Sequence, residues 1–261
     1  MSIDVALPRP SRFSVGRALG ESIGLFARNI FWLVPVACVT RAVILLAPEP
    51  TEDGTPIAWW DLALDKLTDW LASSLADAAI ILVILQILRG HRTSIKHLTA
   101  GFHFVLPLMV AYMTVNLPWT VLAIVEQLWE SGGIESLARW FLFYAIATVF
   151  YVRWSISTQA IVIDRIDALA GLARSARLTK CRRWAVFGLI IIASVISIVV
   201  NVSFEFLSEL LAIRESMVDS IDYLMGATST AYFAVLTTNL YYDLRREKEG
   251  VNSGELARIF D

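Results

Sequence analysis

Residues 164–184 read DRIDALAGLARSARLTKCRRW, the most basic segment of a chain otherwise built from long apolar runs. Arg165, Arg174, Arg177, Lys180, Arg182 and Arg183 stand in it, and a new apolar run begins at Trp184. In a chain that crosses a bilayer such a cluster marks the cytoplasmic side, because the Lys and Arg bias of short loops sets orientation. The expected topology therefore follows outward from this segment in both directions.

Composition supports a membrane chain. A mean hydropathy of +0.63 with 57% apolar residues exceeds what a soluble domain carries, and the excess lies in runs long enough to cross a bilayer. The net charge of -2 is nearly balanced, but its signs segregate by loop, which argues for orientation in a membrane and against a nucleic-acid partner. Cys38 and Cys181 make no disulfide framework, so no oxidising compartment is implied. The first apolar run starts only near Ile30 and contains Arg41, a poor fit to a cleaved signal peptide.

Upstream of the basic segment, spans are expected at about 137–163, 104–128, 67–88 and 30–47; downstream, at about 184–206 and 223–242, followed by a cytoplasmic tail, 243–261. Three interfacial amphipathic helices precede alternate spans, starting near Ser14, Ser94 and Asp167. Their apolar stripes are Val15, Leu19, Ile23, Phe26 and Ile30; Ile95, Leu98, Phe102 and Val105; and Ile166, Leu169, Leu172, Ala173 and Ala176. The unit of interfacial helix, span out and span back thus recurs three times. Pro107 and Pro118 predict a kinked third span packed against neighbours.

The fold expected is an all-α, six-span bundle forming a single integral domain. Lys66, Arg139 and Arg214 are the outer exceptions to a distribution that puts both termini in the cytoplasm. Seven tryptophans fall near span ends, as an aromatic belt requires; Trp119 and Trp154 do not.

Charges within spans are the sharpest signal, since an ionisable group at the bilayer centre is costly unless it faces protein or water. Counted from the cytoplasmic ends, Arg41, Asp77 and Arg153 share a layer roughly 16–18 Å deep. Asn116, Ser194, Ser197, Thr230 and Tyr232 fall near that depth on the remaining spans. Two guanidiniums and one carboxylate would suit an anion or a phosphate head group. The alternative reading, and the one favoured by how often intramembrane charges pair internally, is that Arg41 and Asp77 form a structural ion pair within one hairpin. Tyr144, Thr148, Tyr151, Ser155 and Thr158 form the polar stripe of the fourth span, and Arg153 lies opposite it, so either that span contacts protein on two sides or Arg153 reaches toward an interface with a partner membrane protein or a second copy.

His91, His97 and His103 are spaced by six, which scatters them around a helix, so no metal site is expected. H-E-x-x-H, G-x-S-x-G and G-x-x-x-x-G-K-[ST] are all missing, so metalloprotease, hydrolase and nucleotide-driven chemistry lack their usual marks. No catalysis and no cofactor are expected. Arg174, Arg177, Lys180, Arg182 and Arg183 form a candidate surface for anionic lipid head groups.

The ending YYDLRREKEGVNSGELARIFD, the basic ALAGLARSARLTK before the fifth span and the opening FSVGRAL resemble a broad set of bacterial six-span proteins similar to the membrane domain of some glycerophosphodiester phosphodiesterases. The resemblance covers essentially the whole chain. It implies a bacterial inner membrane and carries no active site, since the catalytic barrel of those enzymes is missing. Two functions follow as expectations: a non-catalytic module that binds or organises lipids or partner proteins, or a carrier for a small anionic or phosphorylated solute.

Overall fold

Hydrocarbon offers no water to backbone N–H and C=O groups, so apolar runs of this length must satisfy those groups internally, as helices. The structure, a computed structural model, describes residues 13–42, 59–88, 101–128, 134–211 and 214–250, and among these it is all-helical. The acidic loop after the first span, the interfacial helix expected from Ser94, His91 and His97, and the end of the tail lie outside the described residues. The helices are α1 (Val15–Arg41), α2 (Trp59–Leu88), α3 (Phe102–Leu128), α4 (Ile134–Trp154), α5 (Ser157–Asp164), α6 (Ala168–Thr179), α7 (Arg183–Leu210) and α8 (Glu215–Glu249). Among the described residues five stretches are long and apolar enough to cross a membrane: Val15–Arg41, Lys66–Ile87, Phe102–Val121, Phe141–Asp164 and Arg183–Ser208.

The expected first interfacial helix and first span are one helix with a break. Asn29 has φ −120° and ψ 15°, and its side-chain amide donates to Leu25 O at 2.9 Å, so the kink falls where the apolar run begins. The N-terminal half does not lie free on a membrane surface. It is docked through Ala18 and Ser22, both fully buried, with Asn239 of α8 donating to Ser22 Oγ at 3.0 Å. Ile23 of the expected stripe stays exposed.

The fourth span, expected to be continuous, is divided between α4 and α5 at residues 155–156. A break inside a span leaves backbone groups that need new partners. Here they come from α6: Ser175 Oγ and Thr179 Oγ1 donate to Arg153 O at 3.0 and 3.2 Å, and Ile156 N donates to Ser175 Oγ at 3.4 Å. The third interfacial helix is therefore a splint for the broken span. Asp167 caps it, accepting from Ala170 N at 2.8 Å, as its place at the start of the expected helix requires. Its inner face is Ala168, Gly171, Leu172, Ser175, Leu178 and Thr179; of the expected stripe, Leu172 turns inward while Leu169 and Ala173 stay exposed.

The helix at the place of the sixth span, α8, falls outside the five by composition. It is also central: its largest interface is with α1, and it touches α2, α5, α6 and α7. Ala227, Ala231, Val235, Leu240 and Tyr241 are fully buried. A helix with protein on most sides does not need an apolar surface all round, so Thr, Ser and Asn are tolerated along it. In contrast α7, the most apolar of the five, exposes Val195, Ile198, Val199, Val200 and Val202.

Candidate functional site

A cavity of about 440 Å³ lies among these helices, within the range of about 300–1,000 Å³ typical of small-molecule sites. Arg41 enters from α1, Ser73 and Asp77 from α2, Tyr112 from α3, Tyr151 and Trp154 from α4, Ser157 and Thr158 from α5, Ser197 and Asn201 from α7, and Gly226, Ser229, Thr230, Phe233 and Thr237 from α8. The α8 residues recur at helical spacing, so one face of that helix forms a wall. The walls are rich in hydroxyls and carry one group of each charge.

Asp77 accepts a hydrogen bond from the Tyr112 hydroxyl at 2.7 Å, and Thr158 lies close to the same carboxyl group. Arg41 is held by α8, its Nη1 donating to Thr230 Oγ1 at 2.8 Å. A Cβ on Gly226 would stand 3.3 Å from Arg41 Nη2, so the glycine leaves room for the guanidinium. The buried Arg41 Nε has no hydrogen-bond partner among the described residues. Arg41 and Asp77 are not within 4.0 Å of each other; the hairpin ion pair, one of the two readings of the sequence, is not formed.

The expected layer is only partly assembled. Arg41, Asp77, Ser197 and Thr230 line the cavity, as do Tyr151, Ser155 and Thr158 of the fourth-span stripe. Asn116 turns back on its own helix, donating to Tyr112 O at 2.9 Å. Tyr232 packs edge-on against Phe26 with ring centroids 5.8 Å apart. Arg153 is exposed and outside the cavity. The site thus holds one guanidinium and one carboxylate instead of a cationic surplus. Sequence reasoning missed Tyr112, Ser73, Gly226, Ser229 and Thr237. Ser73 stands four residues before Asp77 on the same helical face, and Tyr112 four before Asn116, a spacing that could have found both. Trp154, anomalous for an aromatic belt, lines the cavity, and Trp119 packs edge-on against Tyr144 at 4.8 Å.

At the other end of α8 the basic segment is divided in its use. Asp164 accepts from the Tyr241 hydroxyl at 2.6 Å and from Arg245 Nη1 at 3.1 Å, and it pairs with Arg174. Glu249 accepts from Arg174 Nη2 at 3.1 Å and Arg245 Nε at 3.0 Å. Burial opposes the charge on Arg174, but the hydrogen bond to Tyr241 and the carboxylates of Asp164 and Glu249 outweigh it and hold the guanidinium above its ordinary range. Arg182 binds Glu247, and Lys248 Nζ donates to Arg177 O at 2.5 Å and Lys180 O at 2.7 Å. Arg174 therefore holds α6, and Arg182 the turn after it, to the end of α8, with both guanidiniums paired to carboxylates. Arg177, Lys180 and Arg183 are exposed, beside Trp184, which is 85% exposed.

Comparison with models of known families, with curated proteins and with solved structures finds no match, so the reading of this chain rests on its own residues.

Proposed function

We propose that the chain is a six-span inner-membrane protein, with α8 as the sixth and protein-lined span, that binds a membrane lipid by its head group in the cavity between Arg41 and Asp77 without transforming it. The observation that carries this reading is the position of α7. Ser197 and Asn201 line the cavity, while their neighbours Val195, Ile196, Ile198, Val199 and Val200 are exposed and apolar. A wall that is polar inside and lipid-compatible outside is what lateral entry from the bilayer needs. Asn201 itself is exposed, marking the mouth. Arg177, Lys180 and Arg183, with Trp184 beside them, would hold lipid at the cytoplasmic surface by charge and interfacial anchoring.

Native mass spectrometry of protein extracted in mild detergent tests the reading. Retained lipid is expected on the wild type and should fall at least about tenfold in Ser229→Trp, whose indole intrudes into the cavity and obstructs the head group's contacts. Retention unchanged by that substitution but abolished by neutralising Arg177, Lys180 and Arg183 together would move binding to the cytoplasmic face.

A further inference from the structure

We infer that the cavity is built for a zwitterion: a ligand carrying a phosphate for Arg41 and a primary ammonium for Asp77. The inference rests on the ligand-binding reading above and names the chemical class that site takes. Two opposite charges inside a low-dielectric region attract strongly, yet Arg41 and Asp77 stand apart, each with a partial set of partners. Arg41 has one hydroxyl, from Thr230, and a buried Nε without a partner among the described residues. Asp77 accepts from the Tyr112 hydroxyl alone, since the Thr158 hydroxyl donates to Gln159 Oε1 at 3.0 Å, and no cationic side chain among the described residues lies within 4.0 Å of it. A molecule with both charges completes both sets at once.

Singly charged ligands do not fit as well. A purely anionic head group would pair with Arg41 and leave Asp77 in the same cavity as the phosphate. Had Arg153 lined the cavity, its charge would have offset this, but it is exposed outside. Tyr151 and Trp154 also line the cavity, and aromatic faces favour a cation. A primary ammonium has three donors, enough for the carboxylate and nearby hydroxyls, whereas a quaternary one has none.

Phosphatidylethanolamine and free phosphoethanolamine share this chemistry. Native mass spectrometry after reconstitution with equal amounts of phosphatidylethanolamine and phosphatidylglycerol, with soluble phosphoethanolamine as a separate arm, tests the inference on the intact wild-type chain. Phosphatidylethanolamine should be retained about tenfold or more over phosphatidylglycerol, the scale of one charge-assisted contact set. Asp77→Asn should abolish that preference, and Arg41→Gln should lower retention of both lipids. Preference for phosphatidylglycerol in the wild type overturns the zwitterion and leaves lipid binding standing. Binding of phosphoethanolamine without retention of either lipid supports the charge assignment and overturns the lipid reading. Retention of neither ligand overturns both. Because the wild-type preference needs no variant, a substitution that fails to fold does not remove the test.

Discussion

Asp164→Ala should lower the stability of the detergent-solubilised protein by about 3 kcal/mol, the lower end of the 3–5 kcal/mol typical of breaking a buried pair. The carboxylate is the hub of the α5–α6–α8 junction: it pairs with Arg174 and Arg245 and accepts from Tyr241. Its side chain is 13% exposed, and those of Arg174 and Arg245 are 18% and 11% exposed, so water compensates only in part. Removing the carboxylate leaves two guanidiniums sharing Glu249 alone. Asp164→Asn, which keeps an acceptor for Tyr241, should cost less. Thermal unfolding followed by intrinsic fluorescence reads both; equal melting points for the wild type and Asp164→Ala would show that the clasp contributes nothing.

Gly171→Ala should destabilise by about 1–3 kcal/mol, as overpacking of a tight interface does. At an open helical position the same change is favourable by about 1 kcal/mol. The sign differs here because a Cβ at Gly171 would collide with Ile161 Cγ1 and stand 3.1 Å from Ile161 Cδ1 and 3.4 Å from Ser157 O, and Ile161 is fully buried. Ile161→Ala combined with Gly171→Ala should cost less than the sum of the two single changes. A Gly171→Ala protein as stable as the wild type would mean that α6 is not seated closely on α5.

Spans that meet lipid were legible because lipid contact imposes a continuous apolar surface, and α7 is the clearest case. α8 was legible only as a weaker run, since its neighbours are protein and its surface need not be apolar. Arg41 and Asp77 stood out as charges within apolar runs, yet their partners could not be read: Thr230 is 189 positions from Arg41. Depth counting put Arg153 in the same layer on the assumption of an unbroken fourth helix. The break at residues 155–156 escaped notice because the side chains that satisfy it, Ser175 and Thr179, belong to a later helix. The basic segment revealed its charge but not its division, because, besides Asp164 within it, the carboxylates that engage Arg174 and Arg182 lie at Glu249 and Glu247, in the part of the chain expected to be tail.

The cavity belongs to the bilayer only if α8 crosses it, so transmembrane topology tests the account at its root. Reporters active only in the cytoplasm should give signal when fused ahead of Ser14 and after Asp261, and none when inserted within 51–53. If α8 instead lay along the surface after five crossings, the two ends would fall on opposite sides and the fusion after Asp261 would be silent. That result would contradict both the six-span arrangement and the intramembrane site built on Gly226, Ser229, Thr230 and Thr237.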